Sequence, residues 1–334
     1  MIGGEFPIAV TDLLKADVKH SKESNVYTYS SGRAALYQIL KYLQKKKNIK
    51  CILLPDYLCG SVLVPVKALE LEYVFYPINE SLELIEQALV PLYKAGIAVL
   101  VINYYGLKDL TKQVSFIRNI DKDAIIIEDD VQAYYEFKKP LGNVDFKFTS
   151  FRKTFAVPDG GLVKTNHLLP KAGVPNTFGQ YKAAAGLLKS MREGNFSDNI
   201  YLEIFDKGED LIDSELECGM SRIAEKLCNY IDEERVKMRR LNNARYLIDE
   251  LGKKGIRPIL PLVEDHVPLF IPIYLENRDE IRRNMFQHEV FCPVHWPLEG
   301  MPISRGADMA DHELSLIVDQ RYSVRDMNEI ISLL

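Results

Sequence analysis

The chain has 334 residues, of which 47% are hydrophobic and 27% charged, proportions that exclude a disordered, collagenous or disulfide-scaffold protein. Its 42 basic and 47 acidic residues leave a net charge of -5 spread along the sequence, with no basic footprint for nucleic acid and no polybasic patch for a membrane surface. Five scattered cysteines without a CxxC pair speak against a zinc site and a secreted framework, MIGGEFPIAV lacks a signal-peptide pattern, and no apolar run approaches the roughly 18 residues of a membrane span, so a cytoplasmic protein is expected.

In chain order, the first strong element is a helix over 33 to 47, where Leu36, Ile39, Leu40 and Leu43 form one stripe and the lysines lie outside it. Short, almost continuously apolar runs follow at Cys51 to Leu54, Tyr73 to Tyr76, Ile97 to Ile102 and Ala124 to Ile127, as strands covered on both faces require. Helices over about 81 to 94 and 109 to 119 separate them, and a strand over Leu162 to Thr165 follows a glycine pair. Residues 176 to 214 read as polar and helical. From Met220 to Leu251 the apolar spacing predicts a long helix joining two units. The remainder alternates: a strand over Val267 to Leu275, a helix over 277 to 288, a strand over Val290 to Cys292 and a closing helix from Ser323. The pattern predicts an α/β chain with a large, mostly parallel sheet domain over 1 to 235 and a small α+β domain over 236 to 334.

In such sheets ligands bind beyond the carboxyl ends of the strands, and three of these ends are unusually polar. One run leads into Glu128, Asp129, Asp130 and Gln132; another into Asn103, Tyr104, Tyr105 and Gly106; a third into Ser150, Arg152 and Lys153, followed by Pro158-Asp159-Gly160-Gly161. A lysine that can form a Schiff base and a carboxylate that can hold a pyridine nitrogen protonated suit pyridoxal phosphate chemistry. Ser30, Ser31 and Gly32, just before a helix, would supply the phosphate cradle. Each residue also has a plainer reading: Lys153 as a solvated loop cation, Asp129 and Asp130 as a cap or a magnesium pair, Ser31 and Gly32 as an ordinary helix cap. His295 and Trp296, between two prolines, could face a substrate or simply pack.

Seven segments, SSGRAAL (30 to 36), LPDYLCGSVLVPV (54 to 66), INYYG (102 to 106), IIEDDVQA (126 to 133), TSFRKTFAVPDGGLVKTN (149 to 166), GMSRIAEKL (219 to 227) and CPVHWPL (292 to 298), together resemble the DegT-type sugar aminotransferases, a branch of the fold type I pyridoxal phosphate enzymes. The resemblance covers most of the chain. It implies a homodimer that moves an amino group from a donor such as glutamate to a keto sugar carried on a nucleotide. By the same resemblance Lys153 carries the cofactor and shuttles the proton, Asp129 pairs with the pyridine nitrogen, and Gln132 lies by the ring hydroxyl. Ser31, Ser150 and the amides of Gly32 and Arg33 hold the phosphate, and Tyr104, His295 and Trp296 are candidates for the substrate; no metal is implied. The chain departs from the family pattern in four places. Lys153 follows Ser150 by three residues instead of about five, Arg33 stands for a threonine, Cys59 (or Tyr57) stands where an aromatic ring stacks on the cofactor, and a partner-donated asparagine before Met220-Ser221 is not evident. Two other readings are a sugar dehydratase, which would carry histidine at the lysine position, and a catalytically silent relative that binds a ligand or partner protein.

Overall fold

A computed structural model describes residues 1–9, 11, 25–191, 198–296 and 305–334. Eleven strands are present among them: β1 (Ile2–Gly3), β2 (Val26–Tyr29), β3 (Cys51–Pro55), β4 (Glu72–Tyr76), β5 (Ala98–Ile102), β6 (Ile125–Asp129), β7 (Phe146–Ser150), β8 (Gly161–Thr165), β9 (Phe270–Tyr274), β10 (Val290–Phe291) and β11 (Glu313–Ile317). The central sheet has the order β2-β8-β7-β6-β5-β3-β4. Strands β3 to β7 run parallel, β8 runs against β7, and β2 runs against β8. Two reversals make β2 parallel to β7, so the loop after β2 emerges at the same edge as the carboxyl ends of β5, β6 and β7.

The apolar runs of β3, β5 and β6 become buried strands because both faces of the sheet are covered there, and every residue of β5 is buried. The run at Tyr73 to Tyr76, expected to be covered too, falls on the edge strand β4 and leaves Tyr73 and Val74 exposed. The helix Gly32–Lys47 packs on β7 and β8 and buries Leu36, Ile39, Leu40 and Leu43. Ser31 caps it, accepting from Ala34 N at 3.1 Å, and Lys45 to Lys47 occupy its last turn, where cations suit the helix dipole. The two lysines inside strands are structural. Lys147 pairs with Glu128, its register partner on β6, at 3.0 Å, and Lys164 donates to the carbonyls of Lys138 and Lys139.

Two expectations are corrected in detail, and the helical reading of 176 to 214 is filled in. The helix expected over 81 to 94 is a single turn, Glu86–Leu89, because the Asn79 side chain accepts from Ser81 N and Glu83 N and folds that segment into a turn. The stretch 176 to 214 contains two helices, Phe178–Ser190 and Asp198–Ile212, packed on one another. The long helix after Met220 is two, Arg222–Cys228 and Glu233–Lys253, since Ser221 and Asp232 each cap a new start, on Ala224 N and Arg235 N. In the C-terminal part β11 pairs antiparallel with β9, and β10 takes up the N-terminal β1 as a parallel partner, Ile2 opposite Val290. Among the described residues no helix is long and apolar enough to cross a membrane.

Gly161 lies opposite Tyr29 on one side and Ser150 on the other. A Cβ there would sit 2.0 Å from Ser31 O and 2.9 Å from Gly32 N. Only glycine lets the β2 loop close onto the sheet. Gly161→Ala is therefore expected to destabilise the protein by roughly 3 kcal/mol or more, a core overpacking with no side chain free to yield. Urea unfolding measures it, and an unchanged midpoint contradicts the close approach.

Candidate active site

Beyond the carboxyl ends of β2, β5, β6 and β7 lies a cavity of about 420 Å³. Its wall brings together residues distant in sequence: Ser31, Gly32, Arg33, Asp129, Gln132, Ser150, Lys153, His295 and Trp296. Nine of the ten residues singled out from the sequence thus share one chamber. Tyr104 is the exception. It is buried behind the wall, stacked 5.8 Å from Tyr57, and its hydroxyl donates to Tyr57 O at 2.6 Å. Of the two candidates for a ring-facing residue, Cys59 lines the cavity and Tyr57 lies behind it. Pro297 and Leu298 of the CPVHWPL segment lie outside the described residues.

Each group is set by local geometry. Lys153 stands on the single helical turn Phe151–Thr154 that follows β7, which places it just past the strand end. The Lys153 side chain is exposed to the cavity, with protein packed around its base. Desolvation by that surrounding protein, with the Arg152 cation beside it, lowers the pKa of the amine. Asp129 ends β6 and is buried; its side chain accepts from Val131 N at 2.9 Å. Desolvation outweighs that hydrogen bond and raises the carboxyl to about 7. Gln132 turns its carbonyl oxygen to Tyr105 N at 2.9 Å, which leaves its amide nitrogen as a donor on the cavity side.

The helix start at Gly32 is open to an anion. Ser31 satisfies Ala34 N and Ala35 N, while the amides of Gly32 and Arg33 precede the first intrahelical bond. A Cβ on Gly32 would come within 3.2 Å of Val131 Cγ2 and 3.3 Å of Ser150 Cβ, so glycine keeps the cradle open between the helix and Ser150. Pro158 to Gly161 has a framework role. Asp159 accepts from Ser221 N, Ser221 Oγ and Asn176 Nδ2 and ties three loops together, and Gly160 at φ 115 passes under Met220.

Sequence reasoning missed the charge network over the mouth of the cradle. Arg33 reaches Asp213 at 2.6 Å and Glu209 at 3.9 Å, Arg152 reaches Glu209 at 2.9 Å, and Lys182 also donates to Glu209. Burial opposes ionisation of Glu209, but Arg152 and Lys182 hold its carboxyl down to about 2. Glu209 lies on the helix Asp198–Ile212, far along the chain from its partners, and no local motif announces it.

The arrangement fits pyridoxal phosphate. A desolvated carboxylate without a cationic partner suits a pyridinium N–H, an amine of lowered pKa suits the aldehyde, and free helix-start amides with a hydroxyl suit the phosphate. Among the described residues no cluster of metal ligands is present.

No protein-family model matches the chain, and no curated protein is similar in sequence at a significant level. Solved structures do resemble it. Sugar aminotransferase CalS13 from Micromonospora echinospora is 15% identical over 100% of this chain and 99% of that one, with a TM-score of 0.66. The protein Spr1654 from Streptococcus pneumoniae in its PMP form is 14% identical over 100% and 98%, with a TM-score of 0.71. Aminotransferase TlmJ from Streptoalloteichus hindustanus is 17% identical over 92% and 84%, with a TM-score of 0.66. The chain has the α/β fold of these proteins.

Asp129 sets a pH dependence. Its folded pKa of about 7 lies above that of an unfolded aspartate, roughly 3.9. The native protein therefore holds more protons than the unfolded chain between these values, and stability falls as the pH rises through that window. Without cofactor, the wild type should lose on the order of 2–3 kcal/mol relative to Asp129→Asn between about pH 5 and 8. Parallel urea titrations read this, and a difference that does not change with pH refutes it.

Proposed function

We propose that this protein is a pyridoxal phosphate-dependent aminotransferase that transfers an amino group to a sugar, from glutamate to a keto sugar carried on a nucleotide, acting as a homodimer in the cytoplasm. One observation carries the reading: Lys153, Asp129 and the helix-start amides of Gly32 and Arg33 meet in a single cavity at the strand carboxyl ends. The solved structures similar to it include sugar aminotransferases, and Spr1654 is known in PLP and PMP forms.

In this reading Ser31, Ser150 and the two amides hold the phosphate, and Asp129 pairs with the ring nitrogen. Gln132 donates to the ring's oxygen, and Lys153 holds the aldehyde. The cofactor, when bound, supplies an electron sink for the carbon that gains or loses the amine. With the cofactor held there, the Lys153 amine would be the group that carries the proton to and from the reacting carbon, a task for which a lowered pKa keeps its nitrogen free. Asp129 is desolvated and poorly partnered until a cation reaches it, so binding a protonated ring favours its charged form. Arg33 and Arg152, held by Glu209 and Asp213, add positive charge at the phosphate end. A lysine at position 153 weighs against a dehydratase.

Two measurements test the proposal. Protein mixed with pyridoxal phosphate, reduced with borohydride and digested should yield a cofactor-bearing peptide containing Lys153, and Lys153→Ala should yield none. Adding glutamate to the unreduced wild type should change its visible absorbance, at a rate that falls on the order of 10²–10⁴-fold in Lys153→Ala. An adduct at another lysine refutes the site, and no adduct at all favours a silent binding protein.

A further inference from the structure

On the wall of the same cavity, His295 is joined to two wholly buried residues of β11. His295 Nδ1 lies 2.8 Å from Ser315 Oγ. The Ser315 hydroxyl donates to Glu313 Oε1, and the other Glu313 oxygen accepts the backbone N–H of His295 at 2.7 Å. The ring is caged by Tyr105, Phe270 and Trp296, with centroids 5.6, 5.3 and 5.2 Å away. The Tyr57 hydroxyl also donates to the His295 carbonyl. Neither the ring's tilt nor its depth is left loose.

The direction of these bonds decides the tautomer. Ser315 is the donor in its bond to Glu313, so its single proton is spent there. Toward Nδ1 the serine oxygen can then only accept, and Nδ1 must carry the hydrogen. Neutral His295 is left with a bare lone pair on Nε2. The Nδ1 edge is tied inward to β11 and the ring lines the cavity, and among the described residues none bonds to Nε2, which leaves that edge for whatever occupies the cavity. We infer that Glu313 and Ser315 set His295 as a hydrogen-bond acceptor that selects one hydroxyl group of the sugar substrate. This rests on the proposed function for the identity of the ligand. His295 is the residue that touches the ligand, and Glu313 and Ser315 are positioning residues. A lone pair presented from a cage of rings accepts from an O–H and rejects a hydrogen or ether in its place, because a desolvated polar atom is then left unpaired.

Two experiments on the cofactor-loaded protein test this. In the first, ¹⁵N NMR of histidine-labelled protein above the imidazole titration should show His295 protonated at Nδ1. In Ser315→Ala the same residue should become a mixture of tautomers. A proton on Nε2 in the wild type overturns the inference, as does an unchanged tautomer in the variant. In the second, calorimetry with a nucleoside diphosphate hexose and its monodeoxy analogues should show the wild type preferring the parent over one analogue by about tenfold or more. His295→Asn, which keeps an N–H toward Ser315 and removes Nε2, should lose that preference. Equal affinity for every analogue, or no hexose binding, overturns the inference. Neither readout depends on amino transfer, so a failed reaction with glutamate and an intact Lys153 adduct bear on the proposed function and not on His295.

Discussion

The site depends on one electrostatic constraint, a carboxylate at the end of β6 that the fold has removed from water and to which no cation among the described residues is paired. The Asp129 side chain accepts from the backbone N–H of Val131 and sits at the carboxyl end of a buried strand, between Ile102 and Phe148 on the neighbouring strands. The sheet places it there because β6 is central, flanked by β5 and β7, and its residues from Ile126 onward are covered. Nearby Glu128 shows the alternative treatment. It faces Lys147 across the ladder and is neutralised within the fold, whereas Asp129 is turned toward the cavity. Two acidic residues one position apart thus meet opposite fates, since successive side chains of a strand point to opposite faces.

The opposite end of the chamber is organised by backbone instead of side-chain charge. The loop after β2 can meet β7 only because Gly161 has no Cβ, and Gly32 then starts a helix whose first amides face the space beside Ser150. The surrounding cations are not free to collapse into that space. Glu209 and Asp213 hold Arg33 and Arg152 at its rim, so the cradle has positive charge nearby without being filled by it. Order here comes from three distant segments, the β2 loop, the turn after β7 and the helix Asp198–Ile212.

Much of this was legible in the sequence because its signals are local. Apolar runs ending in polar residues marked the strand ends, and a small-residue pair before an amphipathic stripe marked the helix start and its cradle. What escaped was non-local. Val26–Tyr29 is too short and too polar on one side to read as a strand until β8 pairs with it. Glu313 and Ser315 sit within an ELSLI run whose meaning appears only when His295 comes to lie beside it. Tyr104 shows the converse error of locality: a tyrosine at a strand end looks exposed to the crevice, but the short helical turn after β5 swings its ring under Tyr57. Caps explain the misread helices, since Ser221 and Asp232 break a periodicity that apolar spacing alone extends straight through.

The pairing of β1 with β10 also has a bearing on how the molecule is made. Ile2 and Gly3 find their partners at Val290 and Phe291, and Arg321 fastens the carbonyls of Gly3, Gly4 and Glu5. During synthesis Ile2 and Gly3 therefore emerge long before Val290 and Phe291 and wait unpaired while the central sheet assembles. Gly3, Gly4, Glu5 and Phe6 line the cavity as well, so its wall is complete only once this pairing has formed. Disturbing the β1–β10 pair would thus reach the chamber wall, although neither strand belongs to the central sheet.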